Sequence, residues 1–582
     1  MIRLKKLLKY LSDYKKESVL GPLFKLLEAS FELFVPLVVA AIIDKGIVNG
    51  DYGYIIRMCL VLVALGIIGL VCSITAQFFA AKAAVGFAAK LRHALFKHIT
   101  SLSHTEIDKF GYSTLTTRMT SDINQVQAGT NLVLRLFLRS PFVVFGAMIM
   151  AFTVDVRCAM IFAVAIPALT VVVFGIMLIT MPLYKKAQKE LDRILKKTRE
   201  NITGVRVIRA FCKEESEIAE FEEENEQLVS IQKFVGKISA LMNPLTYVII
   251  NAAVIWLIYR GAVQVNLGNL SQGKVVALYN YMSQILVELI KLANMIISLT
   301  KALACTNRIA DVMEIKNSLE NGTVKDGIAD APAVEFNGAA LTYRGSREAA
   351  VEGLTFRAAR GETIGIIGGT GSGKTSLVNM IPRFYDVSGG SVKVDGVDVR
   401  EYDINVLRSK IGFVPQKAVL FKGTIASNMK WGSDKISDDT AYSAICAAQA
   451  EEVVEDKNGM DAVVEQEGRN FSGGQRQRLT IARALAKEPE ILILDDSASA
   501  LDFATDAKLR SAIKSLPYNP TVFIVSQRAS SIIYADKIIV LDDGKPVGIG
   551  THDELLSGCG IYKEIYYSQF SEEEDGEVNA ND

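Results

Sequence analysis

The sequence predicts an all-α membrane domain of six helices followed by a soluble α/β domain. Two observations predict it. Half of the 582 residues are hydrophobic although 22% are charged, and the apolar excess is concentrated in long runs in the N-terminal half. A strand, a glycine-rich loop and an apolar-periodic helix follow one another in the more polar C-terminal half. A chain of this length exceeds one ordinary core. The formal net charge of zero gives no support for nucleic-acid binding, so no nucleic-acid partner is expected. The seven cysteines (Cys59, Cys72, Cys158, Cys212, Cys305, Cys446, Cys559) are dispersed without a CxxC pair. That pattern fits free thiols in reducing surroundings and argues against a disulfide framework or a zinc site.

A membrane span needs about 20 mostly apolar residues. Six segments qualify, at about 18–44, 55–82, 132–154, 157–182, 237–262 and 274–301. The start, MIRLKKLLKYLSDYKK, is basic and amphipathic and lacks a signal-peptide cleavage site, so it reads as an interfacial helix leading into the first span. Lys5, Lys6, Lys15 and Lys16 precede the first span; Lys185, Lys186, Lys189, Lys196 and Lys197 follow the fourth. The positive-inside rule puts these segments, the N-terminus and the soluble half in the cytoplasm. The external connections, near Asn49–Tyr54, Asp155–Arg157 and Gly261–Gln272, are short.

Two cytoplasmic connections, roughly 83–131 and 183–236, read as polar helices broken near Gly111 and Gly204. Their tips are either contact elements or solvated hairpins. Lys25, Glu28 and Glu32 share one face of the first span, and Glu288 and Lys291 lie in the sixth. Such charges either line a cavity or pair between helices, and their mixed signs identify no cargo.

The strand Thr363–Ile367 runs into Gly368, Gly369, Thr370, Gly371, Ser372, Gly373, Lys374, Thr375 and Ser376, where a helix begins. This is G-x-x-x-x-G-K-[ST] in its strand–loop–helix setting, a phosphate-binding loop for ATP. Glycines let backbone N–H groups approach phosphate oxygens, and the helix N-terminus adds its positive end. Lys374 is expected at the β/γ-phosphates and the Thr375 hydroxyl on Mg²⁺. The run ILILDD ends in Asp495 and Asp496, and Asp495 is placed to hold the Mg²⁺ site from a neighbouring strand. In NFSGGQRQRLTIARAL, Ser472, Gly473 and Gly474 open a helix as a second anion site. One chain cannot easily wrap both anion sites around one phosphate chain; two copies facing head to tail can.

These motifs together identify a resemblance that covers almost the whole chain. It looks like an ATP-binding cassette (ABC) half-transporter of the exporter type, of the degenerate-site kind found in heterodimeric multidrug-type exporters. The resemblance implies that Tyr343 stacks on adenine and that Gln416 links Mg²⁺ to the membrane half. It implies that FSGGQ, ending in Gln475, acts on ATP held by a partner chain, and that the loop Ser499–Asp502 crosses to the partner's site. Stretches 105–125 and 201–217 match the family's cytoplasmic coupling regions.

Two positions depart from the family pattern. Asp496 stands where the family has the glutamate that polarises the attacking water, and Gln527 stands where it has the switch histidine. A carboxylate drawn back by about 1 Å can cost about 100-fold in rate. Glutamine hydrogen-bonds phosphate but cannot become a charged donor. The expectation is a poorly hydrolytic site in one half of a heterodimer whose partner carries the intact Glu and His. The alternatives are a slow homodimer and a nucleotide-gated membrane regulator. An importer is disfavoured because importers keep the two domains on separate chains, and a soluble P-loop enzyme is excluded by the spans.

The expected organisation is a membrane domain over 1–310, a linker over 311–331, a nucleotide-binding domain over 332–568 and an acidic disordered tail over 569–582. The expected location is the bacterial cell membrane. The expected cargo is an amphipathic drug, lipid or peptide.

Overall fold

The computed structural model describes residues 7–433 and 435–570. Residues 1–6, which open the expected interfacial helix, and residues 571–582 of the acidic tail lie outside the described residues. Among the described residues, six helical segments are long and apolar enough to cross a membrane: Lys9–Ile47, Tyr52–Ser101, Tyr112–Val154, Val156–Thr203, Glu214–Asn266 and Gln272–Met313. The last of these has 42 residues. At 1.5 Å per residue it is about 63 Å long, twice a bilayer's hydrocarbon core, so a large part of it stands outside the membrane. All seven cysteines are free.

The chain divides into two compact units, Met1–Thr100 with Tyr112–Ile315 and Ser101–Gly111 with Lys316–Asp582. The second unit therefore takes in a short piece of the first long connection between spans, the helix His104–Phe110. That helix stops at Gly111, whose φ of +75° suits a residue without a Cβ. The other long connection breaks at Gly204, and the short helix Val205–Ala210 follows. Phe211, just past it, is 72% exposed.

The membrane unit packs around Phe162, Leu169, Leu257, Leu278 and Tyr281, all fully buried. The Tyr281 hydroxyl donates to the Leu33 carbonyl at 2.7 Å, tying the sixth span to the first. The charged residues of the spans are paired, through a residue the sequence reading missed. Arg139 donates to Glu288 and to Glu32, each at 2.6 Å. Ser140 and Lys291 also donate to Glu288, each at 2.8 Å. Lys25 pairs with Glu28 at 2.5 Å and reaches Ser73 at 3.2 Å. Arg139 thus pairs across the first, third and sixth spans, whereas Lys25 with Glu28 and Lys291 with Glu288 pair along a single helix.

In the second unit, six strands form one sheet in the order Lys545–Gly550, Lys537–Asp542, Thr363–Gly368, Thr521–Val525, Ile491–Asp495, Ile411–Val414. All neighbours are parallel except the first pair. ILILD and TVFIV are buried at every position, as strands covered on both faces must be. A four-stranded antiparallel sheet carries Val351–Ala358, Val334–Leu341, Gly389–Val394 and Val397–Asp398.

Two boundaries differ from the sequence expectation. The sixth helix continues to Met313, past residue 310, because its apolar periodicity does not stop at the membrane. Gln569 and Phe570, expected to open the tail, are ordered: Phe570 stacks on Tyr566 with centroids 4.8 Å apart. Nor is the linker slack. Gly322 and Val324 donate backbone N–H groups to Tyr402 and Glu401, and Asp403 donates back to Val324 at 2.8 Å.

Removing Arg139 leaves two carboxylates in the membrane unit without their shared cation. Arg139→Met is expected to destabilise the unit by about 3 kcal/mol or more. Thermal unfolding of the detergent-solubilised chain checks this, and an unchanged melting curve counts against a central role for Arg139.

Candidate nucleotide site

The site forms where the strands Thr363–Gly368 and Ile491–Asp495 end, on either side of Thr521–Val525. The chain leaves the first strand through a loop that only glycine permits. Gly373 has φ +92°, and a Cβ there would lie 2.5 Å from the Ala350 carbonyl oxygen. A Cβ at Gly369 or Gly371 would meet nothing within 4 Å, so the loop faces open space on that side. Lys374 folds back over the loop, its ammonium donating to the carbonyls of Gly368 at 2.9 Å and Gly369 at 2.7 Å. Burial pulls this ammonium below its ordinary value, with Asp496 and Asp495 opposing. The Ser372 hydroxyl is buried without a partner among the described residues. An open cradle, a desolvated cation and an unmet hydroxyl together suit a phosphate chain.

Thr375 Oγ1 donates to Asp495 Oδ1 at 2.9 Å. Burial pushes the Asp495 carboxyl above its ordinary range and the Asp496 charge adds to the rise, while Thr375 and Lys374 oppose it. An all-oxygen donor set that is short of positive charge fits Mg²⁺. Asp496 sits in the left-handed region at φ +48°, which Asp tolerates, and its N–H donates to the Val525 carbonyl at 2.9 Å. Gln416 Nε2 donates to Asp496 Oδ2 at 3.2 Å. Gln527 is exposed two residues beyond the neighbouring strand.

The signature segment stands apart as its own element. Ser472 caps the helix Gly473–Leu485: its hydroxyl accepts from the Gln475 N–H, and Gln475 Oε1 accepts from the Ser472 N–H. A Cβ at Gly474 would lie 3.1 Å from the Ala500 carbonyl oxygen. Asp502 is a helix cap too. Hydrogen bonds from the Thr505 N–H and hydroxyl hold its carboxyl below the usual range. Ser472 to Gln475 and Asp502 thus have local structural work in addition to any role toward a partner chain.

Residues 18–289 match the ABC transporter transmembrane region family and residues 351–499 match the ABC transporter family. An uncharacterized ABC transporter ATP-binding protein of Mycobacterium tuberculosis is 36% identical over 96% of this chain and 97% of its own length. The chain belongs to the ABC transporter family. YfiB of Bacillus subtilis, likewise an uncharacterized ABC transporter ATP-binding protein, is 34% identical over 98% of this chain and 99% of its own. An ATP-dependent lipid A-core flippase of Desulfotalea psychrophila is 32% identical over 82% of this chain and 84% of its own. In fold, the chain is similar to a bacterial Atm1-family ABC exporter with ATP bound, with TM-score 0.77 at 22% identity over 96% of this chain and 99% of that one. This ABC exporter half-transporter is thus a multi-pass membrane protein with an ATPase domain whose hydrolysis is coupled to transport.

Several residues that sequence reasoning missed hold the ABC transporter's site in place. Arg528, next to Gln527, donates to the carbonyls of Leu501 and Ser499, each at 3.2 Å, and so grips the loop before Asp502. Gln569 donates to the Gln527 carbonyl and accepts from the Ala529 N–H, each at 2.8 Å, and so braces the switch segment. Arg383, buried and at φ +51°, donates to Asp386, Glu320 and Arg400 and fixes the turn that presents Phe384 and Tyr385. No local sequence signal marks these residues; each acts on a backbone far away in the chain.

Phe384 and Tyr385 seat the helix His104–Phe110. The His104 ring lies 4.9 Å from that of Phe384 and 5.9 Å from that of Tyr385. Burial holds its imidazole below the ordinary 6.5, Arg408 adds to this and Asp108 opposes it. An undocked helix would take up a proton near 6.5 and the docked one only at lower pH. Docking is therefore at full strength above that value and weakens as pH falls below it. Amide exchange of residues 104–110, corrected for intrinsic rates, should lose protection between about pH 7.5 and about pH 5.5, and should not in His104→Phe. Equal protection at both ends of the range argues against this.

Proposed function

We propose that this chain is the degenerate half of a heterodimeric ABC exporter, moving amphipathic substrates out across the bacterial cell membrane. The observation that carries the reading is Asp496. It stands at the end of the strand beside the Mg²⁺ ligand candidate Asp495, where a glutamate would polarise water, and its short side chain is engaged by Gln416 at 3.2 Å. Gln527, on the adjacent strand end, cannot supply a charged donor to the γ-phosphate. A site with both changes binds ATP and cleaves it slowly.

In this reading Gly368 to Ser376 cradle the phosphates and Tyr343 stacks on the base. Thr375, Asp495 and Gln416 hold Mg²⁺, which supplies charge neutralisation at the phosphates when bound. Ser472, Gly473, Gly474 and Gln475 complete the partner's site, with Asp502 holding the loop that crosses to it. The partner carries the intact Glu and His, and the N-terminus and nucleotide-binding domain are cytoplasmic. Similarity to lipid A-core flippases at 32% identity supports a lipid-like amphiphile among the drug, lipid and peptide classes.

The heterodimer makes an asymmetric claim. Asp496→Asn removes a base that contributes little to total turnover, so steady-state ATPase of the co-purified complex should fall by less than about twofold. Loss of a working base would cost about 10²–10⁴-fold. Gly474→Asp puts bulk and negative charge where the partner-bound phosphate docks, and should abolish most hydrolysis. Because a side chain there also approaches Ala500, Ser472→Ala provides a milder variant that should lower turnover in the same direction. An inactive Asp496→Asn complex beside a tolerated Gly474→Asp would reverse the assignment.

A further inference from the structure

Beside Tyr343 lies a cavity of about 450 Å³ whose walls come from three separate stretches of chain. Tyr343, Arg344 and Tyr385 line one side; Thr105, Asp108 and Lys109 of the docked helix line the other. Three contacts run across it in series. The Tyr343 hydroxyl is 2.9 Å from the Ser376 hydroxyl, on the helix that follows the phosphate loop. The Tyr343 ring meets Tyr385 edge to face, centroids 5.1 Å apart at 89°. The Tyr385 hydroxyl donates to Asp108 Oδ2 at 2.6 Å, a short bond to a charged acceptor.

We propose that Tyr385 is a positioning residue that links occupancy of the base site at Tyr343 to docking of the helix His104–Phe110 through Asp108. The inference rests on the reading that Tyr343 stacks on the nucleotide base. A base lying on Tyr343 fixes the plane of that ring. Edge-to-face pairs hold their geometry because the ring edge is positive and the face negative, so Tyr385 is fixed with it. With Tyr385 fixed, its hydroxyl is held on Asp108. Linkage then works in both directions: the factor by which docking of the helix strengthens nucleotide binding is the factor by which nucleotide strengthens docking.

The test is binding of trinitrophenyl-ATP, with Mg²⁺, to the full chain in nanodiscs. Tyr343→Ala should weaken binding about fivefold or more, the effect of losing one stacked base. Asp108→Asn and Tyr385→Phe, neither of which removes a ring, should each weaken it about fivefold. Asp108→Asn added to Tyr343→Ala should change nothing further, because the path is already cut. A readout that a merely structural role would not move is amide exchange at 104–110: the nucleotide should raise protection there in the wild type and not in Tyr385→Phe. Wild-type affinity in both Asp108→Asn and Tyr385→Phe, or the same loss with and without Tyr343, overturns the linkage and leaves base stacking standing. Wild-type affinity in Tyr343→Ala overturns the stacking reading and the linkage together.

Discussion

The hydrogen bond from Thr375 to Asp495 is the contact on which the nucleotide site depends. It ties the start of the helix after the phosphate loop to the end of a strand more than a hundred residues later. Two further groups at the site follow directly from either side of that bond. Lys374 precedes it and closes on the loop; Asp496 follows it and turns through a left-handed residue to face Gln416. The bond is needed because the two strands are not neighbours. Thr521–Val525 lies between them, so their ends would otherwise be set only by the twist of the sheet.

A second constraint operates in the membrane unit, where charge has to balance locally. Glu32 and Glu288 belong to the first and sixth spans, and neither span supplies enough positive charge to offset both. Arg139 comes from the third span and serves both with a planar, multi-donor group, which lysine could not do with the same geometry. The result fixes three helices against one another at one depth.

The large architecture was legible in the sequence because its signals are local and repeated. Six apolar runs, the glycine-rich loop after Thr363–Ile367 and the capped helix after Ser472 all sit where their patterns place them. The breaks at Gly111 and Gly204 were legible for the same reason. What was not legible depends on long-range partners. Arg139 looks in sequence like a flank of a span and becomes a counter-ion only when the helices assemble. Phe384 and Tyr385 look like ordinary core aromatics after a helix, yet they receive His104 and Asp108 from nearly three hundred residues away. Gln569 sits at the edge of an acidic tail, where composition points to disorder, while its amide is held by Gln527 and Ala529. Asp496 and Gln527 were noticed only because a resemblance supplied the residues they replace.

The linker carries one more consequence. Its backbone occupies an edge that would otherwise be open: Tyr402, Glu401 and Asp403 bond to Gly322 and Val324, and the Asp395 carbonyl accepts from Ile328. Gly322 has no Cβ because one there would strike the Glu401 carbonyl. A nucleotide-binding domain cut out at residue 332, where its first strand nearly begins, would expose these backbone groups beside the fully buried ring of Tyr402. Unpaired backbone next to apolar surface invites self-association. A soluble fragment of this protein therefore has to start before Glu320, whose carbonyl accepts from Arg383.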